Sequence, residues 1–523
     1  MAVPANPAIE EDAEEHERDG PTHHPSAPSH EFFDLSTTVD PSYIISLIRK
    51  LLPLDFGSLH GVVSKGPSQG PVTDNDDKEG DAPSSAPICN DDRVGLSKNK
   101  HENMDVDDVS CESSHARGEC QDKSDGFERS GDSVREDAWE EYGCILWDLA
   151  ASKTHAELMV ENLILEVLLA NLSDCKSMRV NEISIGIIGN LACHEVLMKR
   201  IVSTKGLIGM IVDRLFLDDP QCLCETSRLL TVGLQSDESI SWAEALQSEH
   251  VLCQILWIAE NTLNLQLLEK IAGLILAILE SRQKVVDDLL PPMMKLGLAN
   301  ILINLLTFEI SKLASDRIPE RYSILDLILR AIESLSVIDG HSQEICSNKE
   351  LFHLACNLVK FTDKVEVGSC CVTAAVLIAN ILSDVVDRAS EISQDWCLLG
   401  GLLDIFPFAS DDLEARNAIW SVLARILVRI HETEMNSSSL CHFVSVLVRR
   451  IDLIEDELLN QQCVDYSPGS TADTRNTSLV RIISIVNQWT AVREEAENNG
   501  NAEAFVSETD VKKLLDCCHK FSK

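Results

Sequence analysis

The sequence predicts an all-α protein in which helical repeats stack side by side into a solenoid. Apolar residues recur at helical spacing over residues 137–491, and β-rich alternating stretches are absent from this region. Short breaks rich in Gly, Pro, Asp and Asn separate the helical stretches, for example at Pro291-Pro292. Similar helix openings return at nearly regular intervals along the chain, which is the mark of a repeat architecture.

Two acidic segments before the repeats, residues 1–36 and residues 61–136, are expected to be disordered. The second segment has only nine Ile, Leu or Val residues and one Phe among its 76 residues. So little apolar surface cannot offset the backbone entropy lost on ordering, about 1–2 kcal/mol per residue. The sequence therefore predicts an acidic tail and an acidic linker rather than further domains.

Between the two acidic segments, residues 37–60 are predicted to contain one short amphipathic helix. Asp40 can cap this helix, and Pro41 suits its first position. The apolar residues of one helix face follow at the spacing i, i+3, i+4, i+7: Ile44, Leu47, Ile48 and Leu51. We expect the helix to dock on the repeat domain. The alternative is a linear motif for a groove of another protein.

The repeats themselves are recognised from carboxylates that open successive helices. Four such openings are spaced by 43, 44 and 51 residues, at Glu182, Glu225, Glu269 and Glu320. Two weaker copies lie near residues 372–382 and 414–427. Spacing of about 40–47 residues is typical of armadillo and HEAT repeats with two or three helices. The sequence thus predicts an armadillo/HEAT-like α-solenoid over residues 137–491, followed by a polar break and a C-terminal helix in residues 492–523.

A small-residue pattern recurs within these repeats. The stretch at residues 188–192 contains Gly189 and Asn190, and the stretch at residues 378–382 repeats it with Ala379 and Asn380. Small residues let neighbouring helices approach closely. We therefore expect Gly189 to lie against a neighbouring helix, at a site with no room for a large side chain.

The charge of the chain restricts its partners. With 85 acidic and 44 basic residues the formal charge is −41, and acidity is spread over both halves of the chain. Direct nucleic-acid binding is disfavoured because phosphate contacts need clustered Lys and Arg. We expect a protein partner with a basic surface, steered by charge. The alternative is that the acidity only prevents aggregation.

No residue pattern indicates catalysis, a metal or a cofactor. Phosphate-loop, metalloprotease and nucleophile-elbow motifs are absent from the sequence. The 18 cysteines are expected to be reduced and mostly buried in apolar helices, as at Cys193, Cys253, Cys356 and Cys397, and their spacing does not fit a zinc site. The sequence therefore predicts a protein that is not an enzyme and has no cofactor.

The expected location is the nucleus, the cytoplasm or both. The first 19 residues have no apolar core and carry seven carboxylates, so no secretory signal is predicted. The longest strongly apolar run, residues 271–279, is far shorter than the about 20 residues of a membrane span. Contact with a membrane is therefore not expected, and the oligomeric state is left open.

Several segments together resemble the serum amyloid A-like (SAAL) family of armadillo-type proteins. They are Trp147-Asp148, residues 182–193, and residues 218–220 leading into residues 225–230. The resemblance implies an armadillo-like helical fold, a nuclear or nucleocytoplasmic location and a link to cell proliferation. It implies no catalytic residues.

The leading functional hypothesis is an interaction scaffold that presents its helical stack to a protein partner. The alternative is a nuclear-transport-like receptor or chaperone co-factor that binds basic peptides. Such receptors use repeated Trp-x3-Asn pairs, and the sequence offers one pair, Trp257 and Asn261. Asn190 and Asn380 lie in the small-residue stretches without a matching Trp. These four residues are the predicted partner-binding candidates.

Overall fold

The computed structural model describes residues 39–52, 129–315, 318–432, 435–460, 471–498 and 506–522. Within these ranges the regular secondary structure is entirely helical. The predicted acidic tail, and all of the predicted linker before residue 129, lie outside the described residues.

The described ranges form 24 α-helices, together with short 3-10 segments at Arg214–Phe216, Val386–Arg388 and Phe406–Ala409. In chain order the α-helices are α1 (Pro41–Lys50), α2 (Arg129–Leu149), α3 (Lys153–Glu161), α4 (Ile164–Asp174), α5 (Met178–Ala192), α6 (Glu195–Ser203), α7 (Leu207–Asp213), α8 (Pro220–Gln235), α9 (Ser239–Leu246), α10 (Glu249–Asn261), α11 (Leu265–Leu279), α12 (Gln283–Lys295), α13 (Leu298–Ser315), α14 (Glu320–Val337), α15 (Ser342–Cys346), α16 (Lys349–Val359), α17 (Gly368–Asp384), α18 (Ala389–Ile392), α19 (Trp396–Asp404), α20 (Leu413–Glu432), α21 (Ser437–Val448), α22 (Ile451–Asn460), α23 (Thr471–Asn498) and α24 (Glu508–Phe521).

Every third helix from α2 onward belongs to one stacked row, in which each member packs on the next. The row consists of α2, α5, α8, α11, α14, α17, α20 and α23. The helices between them form a second layer with its own contacts from repeat to repeat, such as α10 on α13 and α13 on α16. This three-helix repeat confirms the predicted armadillo/HEAT-like α-solenoid. The four glutamates that open the predicted repeats lie in α5, α8, α11 and α14.

The row packs closely because glycines face large side chains of the neighbouring helices. Gly186 and Gly189 are both buried in α5. A Cβ added at Gly186 would clash with the indole ring of Trp147 on α2, and one at Gly189 would lie 2.5 Å from Nη2 of Arg228 on α8. The prediction that Gly189 lies against a neighbouring helix is confirmed. The tighter contact is the one at Gly186.

Helix α1 packs on α2 and α3 at the N-terminal end of the array. Its apolar face is buried, and its Asp40 side chain accepts a hydrogen bond from the Ser42 amide at 2.9 Å. The buried Asn171 donates its Nδ2 hydrogen to the Leu51 carbonyl oxygen at 2.9 Å. At the other end, α24 packs on α21, α22 and α23. The array begins earlier than predicted, since α2 starts at Arg129.

Two local expectations differ from the structure. Pro291 and Pro292 lie inside α12 instead of breaking it. Each proline removes a backbone hydrogen bond, but apolar side chains of α12 on both sides of the pair are buried, which holds the helix in place: Leu289, Leu290, Met293 and Met294. Of the cysteines quoted above, Cys356 is buried, whereas Cys193, Cys253 and Cys397 are exposed.

Helix α13 is, by length and composition alone, apolar enough to cross a membrane. In the structure it packs on α14 and α16. Its Glu309 is buried and pairs with Nη1 of Arg321 at 2.8 Å. These contacts are those of a core helix within the array.

Candidate partner-binding surfaces

The stacked row exposes one stripe of side chains per helix, and two of the predicted site residues lie on it. The half-buried Asn190 donates its Nδ2 hydrogen to the Trp147 carbonyl oxygen at 3.0 Å. The half-buried Asn380 donates its Nδ2 hydrogen to Ser336 Oγ at 2.9 Å. Each bond joins a row helix to the preceding row helix, so both amides contribute to the packing of repeats.

Two arginines on the row, which sequence reasoning missed, each donate a bond to a carbonyl oxygen of the preceding row helix. Nη2 of Arg228 donates to the Gly186 carbonyl oxygen at 3.3 Å and pairs with Glu225 at 2.6 Å. Nη1 of Arg425 donates to the Leu382 carbonyl oxygen at 2.7 Å. The signal in the sequence is weak, because an arginine on a polar helix face has many other uses.

The middle of the row carries half-buried carboxylates. Burial is the main cause that raises the pKa of Glu333, and the nearby charge of Glu280 raises it further. Burial also raises the pKa of Asp326 on the same helix. Arg330 lies one turn from each and donates from Nη2 to Glu280 at 2.7 Å. Both carboxyl groups therefore lie in a partly desolvated part of the row, with Arg330 as a nearby cation.

The other two predicted site residues lie on a different surface. Trp257 and Asn261 belong to α10, which is in the second layer and not in the row. The Trp257 side chain is 57% exposed, and Asn261 donates its Nδ2 hydrogen to the Trp257 carbonyl oxygen at 2.8 Å. The structure thus brings Trp257 and Asn261 together but places neither beside Asn190 or Asn380.

A cleft of about 480 Å³ opens beside Trp257. The rings of Phe216 and His250 stack there with centroids 4.4 Å apart and an interplanar angle of 7°. The lining residues are Phe216, Leu217, Asp218, Leu223, His250, Cys253, Gln254 and Trp257. Sequence reasoning missed Phe216 and His250 because 34 residues separate the two rings.

Several cysteines of the array have buried thiols. Burial raises the pKa of Cys222 to about 12, and burial likewise raises the pKa of Cys356 to about 12. Such thiols stay protonated at neutral pH and behave as small apolar side chains. In the described ranges, no group of three or more His, Cys, Asp or Glu residues is arranged to hold a metal ion.

No family model matches the chain. Relatives are found over shorter stretches: the human "Protein SAAL1" is 33% identical over 135 residues, 25% of this chain and 28% of that protein. The Danio rerio "Protein saal1" is 31% identical over 141 residues, 27% of this chain and 30% of that protein. The matched stretch thus spans less than a third of either relative.

Among solved structures, a computationally designed armadillo repeat protein for modular peptide recognition superimposes with a TM-score of 0.38. The superposition has 14% sequence identity and covers 48% of this chain and 95% of the designed protein.

The curated relatives confirm the predicted resemblance to the SAAL family, over about a quarter of the chain.

Proposed function

We propose that this chain is a non-enzymatic protein-interaction scaffold whose stacked row forms the partner-binding face. The observation that carries the proposal is the unbroken stacking of the row from α2 to α23. A partner that lies along such a row contacts side chains from many repeats, which is how solenoids use their extended surfaces. No reaction chemistry is assigned to the row.

The partner that fits this face is a protein with a basic surface. Carboxylates occupy the first or second turn of five of the eight row helices, where they are half-buried or exposed: Glu182, Glu225, Glu269, Glu320 and Glu414. Residues 138–523 carry 55 acidic and 32 basic residues, an excess of 23 negative charges. Opposite charge speeds the encounter of such partners and fixes their orientation.

The cellular part of the proposal rests on the resemblance to the SAAL family. We propose, as that resemblance implies, that the chain acts in the nucleus, the cytoplasm or both and has a role in cell proliferation. The alternative of a nuclear-transport-like receptor or chaperone co-factor for basic peptides has less support. Its Trp–Asn pairs should share one face, whereas Asn190 and Asn380 lie on the row and Trp257 lies off it. Direct contact with a membrane or a nucleic acid is not part of the proposal.

Neutralising the row tests the binding face. The full-length variant Glu269→Gln, Glu320→Gln, Glu414→Gln removes three charges from the row. The matched control Glu195→Gln, Glu244→Gln, Glu350→Gln removes three exposed charges from second-layer helices. Affinity purification with quantitative mass spectrometry should show partners lost from the row variant and kept by the control. Equal recovery of the same partners by both variants would contradict the proposed face.

Salt separates charge steering from the alternative that acidity only prevents aggregation. For a partner identified in this way, the association rate should fall steeply between low salt and about 0.5 M, where the Debye length is only a few ångströms. A rate that does not change over this range would remove the electrostatic part of the proposal.

A further inference from the structure

The cleft beside Trp257 has features that the row does not explain. Trp257 has the largest exposed fraction among the aromatic side chains of the described residues, at 57%, and Phe216 is 38% exposed. Both rings line the same cleft. An exposed indole and an exposed phenyl ring that share a cleft are typical of a binding site.

The cleft is held in shape by contacts between α10 and the 3-10 segment Arg214–Phe216. Along α10, His250 and Trp257 lie seven residues apart on one face, a separation of about 10 Å along the helix axis. The His250 ring is fixed by its stack on Phe216. Gln254, between them, donates its Nε2 hydrogen to the Leu215 carbonyl oxygen at 3.0 Å. An aromatic ring therefore stands toward each end of a preformed cleft.

The charge of the cleft favours a cationic ligand. Asp218 lines the cleft, is exposed and makes no ion pair with any residue that the structure describes. Among the described residues that line the cleft, Asp218 is the one carboxylate and none is a lysine or an arginine. Arg214, four residues before Asp218, donates to Asn181 Oδ1 at 2.9 Å. An anionic ligand would be repelled, and a purely apolar one would desolvate the Asp218 carboxylate without compensation.

We propose that this aromatic and acidic cleft binds an arginine side chain of a protein partner. The guanidinium stacks on the Trp257 indole and pairs with the Asp218 carboxylate. Arginine fits better than lysine because its planar cation stacks on rings, is weakly hydrated and can donate two parallel hydrogen bonds to one carboxylate. The inference rests on the proposed function in one respect, namely that the partner is a basic protein. It adds a second contact surface, outside the row.

Two labelled peptides of equal charge test this site. They have four arginines or four lysines in otherwise identical Gly-Ser sequences, and their binding to the full chain is followed by fluorescence anisotropy at about 0.15 M salt. The arginine peptide should bind several-fold more tightly. Trp257→Ala should weaken its binding about 2- to 30-fold, which is the range expected for a cation–π contact. Asp218→Asn should weaken it as well, and Trp257→Phe should retain more affinity than Trp257→Ala.

Matched controls remove the same kinds of groups next to the cleft. Leu263→Ala removes an apolar side chain that is 95% exposed, and Glu249→Gln removes one charge from the start of α10; neither residue lines the cleft. Both controls should bind the arginine peptide as the wild type does. Thermal melting of each variant checks that the array is intact, and since Trp257 and Asp218 are exposed we expect unchanged midpoints.

Three results would overturn the inference: no binding of the arginine peptide, equal binding of both peptides, or unchanged binding by Trp257→Ala. Each of these leaves the row variants to decide the proposed function separately. Conversely, loss of partners from the row variant with an intact peptide response would show two independent surfaces.

Discussion

Two three-helix joints of the row have similar hydrogen bonds between their helices but different packing beside those bonds. The first joint is α2, α5 and α8, and the later joint is α14, α17 and α20. In the first joint, Asn190 of the middle helix donates to the Trp147 carbonyl oxygen of the preceding row helix. In the later joint, Asn380 donates to Ser336 in the same sense.

In each joint, an arginine of the third helix also donates a bond to the middle helix. Arg228 donates back to the Gly186 carbonyl oxygen in the first joint, and Arg425 donates back to the Leu382 carbonyl oxygen in the later one. The spacings are 42 and 43 residues, one repeat in each case. Polar side chains therefore tie successive repeats together in both joints. The arginine bonds differ in position: the carbonyl that Arg228 reaches lies four residues before Asn190, and the one that Arg425 reaches lies two residues after Asn380.

The packing beside these bonds differs. In the first joint the Trp147 ring covers Gly186, four residues before Asn190. In the later joint the position four residues before Asn380 is the half-buried Val376, and Val337, at the position of Trp147, is 59% exposed. The asparagine bonds thus link neighbouring row helices in both joints, whereas a glycine covered by an indole ring occurs at this position only in the first joint.

The largest expected loss of stability comes from a side chain added at Gly186. Gly186→Leu places a side chain where the Trp147 ring lies, and overpacking of this kind costs roughly 1–3 kcal/mol or more. Val376→Leu, at the equivalent position of the later joint, should change the free energy of unfolding far less. Thermal and urea midpoints of the full chain measure both. Similar losses in the two variants would show that the joints are equally tight.

The second prediction concerns Gly189, which faces the flexible end of Arg228. Gly189→Leu should displace the guanidinium and break its bond to the Gly186 carbonyl oxygen, at a cost of roughly 1–3 kcal/mol. Because an arginine end can move and an indole ring cannot, we expect a smaller loss than for Gly186→Leu. Melting at the wild-type midpoint would show that this contact does not constrain the joint.

The third prediction compares the asparagines directly. Asn190→Ala and Asn380→Ala each remove a bond between repeats, worth about 0.5–1.5 kcal/mol. Asn380 also hydrogen-bonds the Glu333 carboxylate, so the loss for Asn380→Ala should be at least as large as that for Asn190→Ala. Hydrogen exchange of the flanking row helices should rise locally in each variant. A loss of stability in only one of the two variants would contradict this prediction.

The smallest effect is a pH dependence that only the later joint should show. Because burial and Glu280 raise the pKa of Glu333 above its ordinary 4.5, the folded chain binds this proton more tightly than the unfolded chain. The resulting stability is fully present below the unfolded pKa and is lost as pH rises through the folded pKa. Glu333→Gln should therefore flatten the pH dependence of the melting midpoint in that window. The exposed Glu350→Gln serves as the control, and an equal slope in both variants would contradict the assignment.

Local patterns in the sequence are sufficient to predict the helices, their period and the Asp40 cap. Apolar spacing is a local feature, so the stretches from Glu182 to Glu320 located the row helices. Their starts were predicted four or five residues too late in three cases, since Glu182, Glu225 and Glu269 lie in the second turn and only Glu320 opens its helix. Asp40 was recognised as a cap, and Gly189 as a close-packing site, from the residues alone. These features could be predicted because each depends on neighbours within a turn or two of the same helix.

The residues that meet across repeats could not be predicted from the sequence and are seen in the folded array. Asn190 and Asn380 bond to the preceding row helix, while Trp257 lies on the second layer beside a stack of Phe216 on His250. The two prolines at residues 291–292 stay inside α12 because packing outweighs their local preference. Such contacts join residues tens of positions apart, and their partners follow from how the helices stack, which no local pattern in a single sequence specifies.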